Sequence, residues 1–196
     1  TTTSATNDLV WDTPRGDLVV RNETLLRAMN VPDDAIAHLQ RAPGFTLSIQ
    51  TALVDELGRL DGVDGRGGVV ELAATAQDVD QAAFVTRATR MLADHHAQRG
   101  ALATLQSAGT VTARERSGAL VVPGPVDYVS WTERVARFAE RKDLAAPARG
   151  IWLSGRASPR AAAALRVRGW ALHENVRTAG GSGGPTAAPT PAADAS

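Results

Sequence analysis

Residues 150–176 read Gly150-Ile-Trp-Leu-Ser-Gly-Arg-Ala-Ser-Pro-Arg-Ala-Ala-Ala-Ala-Leu-Arg-Val-Arg-Gly-Trp-Ala-Leu-His-Glu-Asn-Val176, and their local signals spell strand, helix, strand. Ile151, Trp152 and Leu153 form a continuous apolar run, the pattern of a strand buried on both faces. Ser158 is a good N-cap, and Pro159 takes the first helical position, where its missing N–H costs nothing. Ala161 to Ala164 and Leu165 favour a helix, and Gly169 supplies the left-handed residue that stops it. Trp170 to Val176 resumes as a second strand. A unit this compact predicts a parallel pair with a right-handed crossover.

The charges in this unit are unusual. A helix N-terminus carries partial positive charge and ordinarily draws acids into its first turn. Here the turn holds Ser154, Gly155, Arg156, Ser158 and Arg160, with two arginines and no acid. Those residues are therefore the candidate anion-binding set, suited to phosphate, sulfate or a carboxylate. The plainer reading leaves both arginines in water or paired with the protein's own carboxylates. The turn lacks the GxxxxGK[ST] frame of a P-loop, the GxGxxG frame of a dinucleotide site and the GxSxG frame of a nucleophile elbow.

Upstream, Thr110–Arg116 and Ala119–Val122 flank Ser117-Gly118, a two-residue hairpin signal that predicts an antiparallel pair. Ser130-Trp-Thr-Glu133 reads as a capping box, and Trp131, Val135, Phe138 and Ala139 then recur at helical spacing. A second box, Thr75-Ala-Gln-Asp78, opens the longest helix, over roughly 76–99, with an inner stripe of Phe84, Val85, Ala88, Met91 and Leu92. Residues 17–21 and 69–73 read as short strands. Asn22 reads as the cap of a brief helix, Pro32 as the opening of another, and 45–60 as a helix by its length. Asp61–Gly68 puts Val63 and Gly65 where a calcium loop needs oxygen ligands, so it reads as a turn-rich connection. The whole predicts one α/β domain over 8–178, with a mixed sheet, an antiparallel hairpin near 110–122 and helices packed on the sheet. Residues 1–7 predict a flexible segment, and 179–196, rich in Gly, Ala, Pro and Thr, a disordered tail.

Composition narrows the function by exclusion. Twenty-one basic residues balance 21 acidic ones, so no nucleic-acid partner is implied. Lys142 is the sole lysine. That bias toward Arg, with abundant Ala, suggests a GC-rich bacterial genome. No cysteine is present, which removes disulfides and thiolate chemistry. No apolar run approaches the roughly 18 residues of a membrane span. A start at Thr1 without Met favours a processed chain, with export slightly preferred over the cytoplasm.

Asp94-His95-His96 invites a metal reading. Adjacent histidines on a helix point about 100° apart, however, and His38 and His173 complete no ligand spacing, so no metal or cofactor is expected. Asp127 and Tyr128 sit where a cleft beside the focal turn would be lined, or where turn residues satisfy backbone groups. No nucleophile, base and orienting group converge in the sequence. The reading is a non-enzymatic interaction or accessory domain with a protein partner. The alternative is an anion- or phosphate-binding module, or an enzyme acting on a phosphorylated small molecule at the Ser154–Arg160 turn.

Overall fold

Among the described residues, helices come first, and strands alternate with helices after Gly100. A computed structural model describes residues 13–107 and 109–178. The flexible segment expected over 1–7 and the tail expected over 179–196 lie outside the described residues. Five helices come first: α1 (Arg15–Ala28), α2 (Asp33–Arg41), α3 (Leu47–Gly58), α4 (Arg66–Ala74) and α5 (Val79–Gln98). Then follow β1 (Leu102–Ser107), β2 (Val111–Glu115), β3 (Leu120–Gly124), β4 (Tyr128–Val129) and α6 (Glu133–Ala139). The last elements among the described residues are β5 (Arg149–Leu153), β6 (Arg156–Ala157), α7 (Pro159–Val167) and β7 (Ala171–His173).

The two strands expected at 17–21 and 69–73 are helical. In α1, Leu18, Asn22 and Leu26 are buried at a spacing of four, so Asn22 lies mid-helix and its amide donates to Thr51 Oγ1 at 2.9 Å. Val69, Val70 and Ala73 form the buried face of α4, which starts from Gly65 at φ +85°. Two expected caps also move. Asp78, not Thr75, caps α5, its carboxylate accepting from Gln81 N at 2.8 Å. Thr132, not Ser130, caps α6 through a bond from Val135 N.

The main sheet runs β1-β2-β3-β5-β7. The pairs β1/β2 and β2/β3 are antiparallel, and β3/β5 and β5/β7 are parallel. Gly118 turns the expected hairpin at φ +85°. Ser158 Oγ accepts from Ala161 N, and Gly169 takes φ +77°, so α7 begins and ends where its residues dictate. The product is a single mixed α/β domain.

The register sorts side chains onto two faces. Ala113 pairs with Val121, and Pro123 with Trp152, so these four share the face toward α5. Val121 and Trp152 pack there into a core built with α1–α5. Leu120, Val122, Ile151 and Leu153 point to the opposite face and pack with Ala139, Leu165 and Trp170. Both parallel connections, through α6 and α7, cover that second face, as successive crossovers in one direction require. Trp170 is 2% exposed; its Nε1 donates to Ala139 O at 3.1 Å, and its ring stacks on Phe138. Two cores thus share one sheet.

Candidate functional site

The Ser154–Arg160 turn follows β5 and leads into α7. The N–H groups of residues 154–158 are already bonded. Ser154 N donates to Gly124 O, Gly155 N to Val126 O, Arg156 N to Asp127 O and Ser158 N to Val129 O. Ala157 N donates to the carboxylate of Glu174 at 2.6 Å. The Ser154 hydroxyl donates to Val126 O. The turn serves a two-stranded parallel ladder between β4 and β6, with Tyr128 opposite Arg156. Gly155 permits this, because a Cβ there would stand 1.9 Å from Asp127 O. Arg156 and Arg160 remain exposed and form no ion pair among the described residues. Asp127 supports the ladder through its carbonyl, and Tyr128 is exposed.

The histidines near the end of α5 have structural partners. His95 is buried, and its Nε2 lies 2.8 Å from Glu115 Oε1 on β2. Trp152 meets the His95 ring edge-on at 4.7 Å and stacks on His173 at 3.9 Å, with Arg99 over its indole. The hydrogen bond from His95 holds the Glu115 carboxyl below its ordinary range, against an opposing push from burial. Burial lowers the His173 pKa, and electrostatic interactions with His95 and Arg99 lower it further. His96 turns away, its Nδ1 accepting from Leu102 N. Among the described residues no group of three or more His, Asp or Glu side chains is placed to hold a metal ion.

A larger feature escaped the sequence. A groove of about 960 Å³ opens where the two cores meet, at the C-terminal ends of β3 and β5. That is where open α/β sheets receive ligands. Val122, Ile151, Leu153 and Leu165 form part of its lining from the second core. One wall comes from α4 and α5 through Leu72, Phe84 and Val85, and the other from α6 through Val135 and Phe138. Leu72, Phe84, Val85, Val126, Val129, Val135 and Phe138 are all only half-buried. Seven apolar side chains left partly in water around one opening form an unclosed seam, not scattered surface hydrophobics.

Charge is divided across the opening. Arg134 and Arg137 of α6, and Arg141 just beyond it, line one side, whereas Asp80 and Gln81 line the α5 side. Arg137 pairs with Glu133, and Arg141 with Asp143; Arg134 forms no ion pair among the described residues. No sequence motif announces this site. Its walls come from segments that lie from residue 72 to residue 165, and no local spacing relates them.

No family model, no curated protein and no solved structure matches the chain. No helix among the described residues is long and apolar enough to cross a membrane.

Proposed function

We propose that this chain is a non-enzymatic binding module, with the groove between α5 and α6 as its ligand site. One observation carries the reading: both cores stop short of each other and leave apolar walls facing an open volume of about 960 Å³. That volume falls within the roughly 300–1,000 Å³ typical of small-molecule sites. The ionisable groups lining it, among the described residues, are one aspartate and three arginines. Such a set orients charge and offers no nucleophile–base pair. An interaction domain is the class this supports.

The test is methyl NMR during a titration with decanol, a neutral apolar probe. Methyl signals of Leu72, Val85, Val122, Val135 and Leu153 are expected to shift, while those of Leu26 and Leu39, on α1 and α2, stay in place. Shifts absent from the groove, or spread evenly over the protein, would remove it as the ligand site.

A second reading rests on Arg156 and Arg160, both exposed and without an ion pair among the described residues. With the N–H groups of residues 154–158 committed, their guanidiniums and the Ser158 region would hold phosphate or a phosphorylated small molecule. Phosphate is then expected to raise the Tm of the wild type and not of an Arg156→Ala/Arg160→Ala variant. Equal responses in both would reject this reading.

A further inference from the structure

We infer that the groove takes an amphiphile with one acidic head group, whose apolar body lies along the groove and whose head meets the α6 arginines. This rests on the groove being the ligand site. Arg134 and Arg137 fall at i and i+3 on α6, and Arg141 follows in the extended residue after its cap, so three guanidiniums line one rim. The opposite rim carries Asp80, which repels an acid placed there and fixes the direction of the ligand.

The existing ion pairs do not close the rim to an incoming acid. Arg137 and Glu133 have side chains 76% and 78% exposed, and a pair so open to water contributes little. Arg141 is held by two hydrogen bonds to Asp143, so the two arginines of α6 carry the contact with the head group. Arg134 needs no partner displaced. A carboxylate or phosphate monoester anchored by a buried tail meets these guanidiniums at the edge of an apolar surface, where charge-assisted hydrogen bonds gain strength. A cationic head has no comparable contact except Asp80, and a neutral head has nothing to neutralise. Area and charge point to the same ligand.

The experiment is calorimetric titration with decanoate, decyl phosphate, decanol and decyltrimethylammonium, each below its micelle concentration. Wild type, Arg134→Gln/Arg137→Gln and the control Arg166→Gln, an exposed arginine of α7 outside the groove, are compared. Decanoate or decyl phosphate is expected to bind at least about tenfold more tightly than decanol, as a charge-assisted hydrogen bond gives. The cation is expected to bind more weakly than decanol. The double variant should lose the preference for acids while still binding decanol, and the control should keep it. The two acidic probes separate a carboxylate head from a phosphate head. Decanol binding as tightly as both acids would overturn the head-group inference and leave the groove reading intact. Binding of none of the four would overturn both. An acid preference that survives in the double variant would also overturn the inference, because the head would then lie elsewhere.

Discussion

His95 Nε2 and Glu115 Oε1 stand 2.8 Å apart, tying the end of α5 to β2 beneath the Trp152 ring. Both this carboxyl and the stacked His173 have folded pKa values below their ordinary ones, 4.5 and 6.5. The sign is therefore the same for both. The unfolded chain binds the proton more readily, so each group adds stability above its ordinary pKa and loses it as pH falls through the folded value. Urea midpoints are expected to decline in two stages, below pH 6.5 through His173 and below pH 4.5 through Glu115. His173→Gln should flatten the first stage and Glu115→Gln the second. A His173→Gln protein with the wild-type slope between those values would show that the histidine is not responsible.

Thr112, on β2, is fully buried, and its hydroxyl has no hydrogen-bond partner among the described residues. Burying an unpaired polar group costs about 1–3 kcal/mol, and valine matches the shape of threonine without the hydroxyl. Thr112→Val is expected to stabilise the protein by about 1 kcal/mol, read as a higher urea midpoint at unchanged slope. A loss of stability would mean that the hydroxyl has a partner, such as a buried water.

Glu56 on α3 is 2% exposed and accepts from Arg59 and from Arg90 at 2.7 Å, while Arg59 also bonds Asp94. Breaking a fully buried pair costs about 3–5 kcal/mol. Here the guanidiniums are partly hydrated, with Arg59 25% exposed and Arg90 21%. Glu56→Ala should therefore cost about 2–4 kcal/mol after discounting for that hydration, and Glu56→Gln less. A cost under about 1 kcal/mol would place the network with ordinary surface pairs.

Gly155→Ala tests the close approach of the turn to Asp127 O. Overpacking against backbone should cost about 1–3 kcal/mol and speed amide exchange at residues 155 and 156. Gly16, in the first turn of α1, has nothing among the described residues within 4 Å of an added Cβ, so Gly16→Ala should be neutral or mildly stabilising. Equal effects at the two positions would remove the steric explanation for Gly155.

Legibility in the sequence followed the range of the forces involved. The βαβ unit was readable because Ser158, Pro159 and Gly169 act on backbone within a few residues of themselves. The hairpin at Ser117-Gly118 was readable for the same reason. Helix α1 was not, because Asn22 interrupts its apolar stripe and its amide donates to Thr51, 29 residues away. In α4, Gly67 and Gly68 read as loop, yet a Cβ on Gly68 would stand 3.0 Å from Ser107 Oγ, so glycine there lets the helix approach β1. Trp152 read as doubly buried and is half-buried, because it packs between two histidines near the sheet edge. The candidate residues Ser154, Gly155, Arg156, Ser158 and Arg160 do share one turn, but the bonds that occupy its N–H groups come mainly from 124–129 and from Glu174. The groove was invisible, since a gap between two cores is a property of how layers meet.

The ends of the main sheet bear on how copies of the chain behave at high concentration. Beside β1, Asp64 N donates to Ala103 O and Leu105 N donates back to Asp64 O, so the connection before α4 occupies part of that edge. At the other end β7 is three residues long, and the chain then turns at Asn175, φ +54°, to bond Gly155 and Leu153. Neither border presents a long row of free amides and carbonyls on which a second copy could stack strand to strand. Strand-to-strand stacking of copies at these two borders is thereby discouraged.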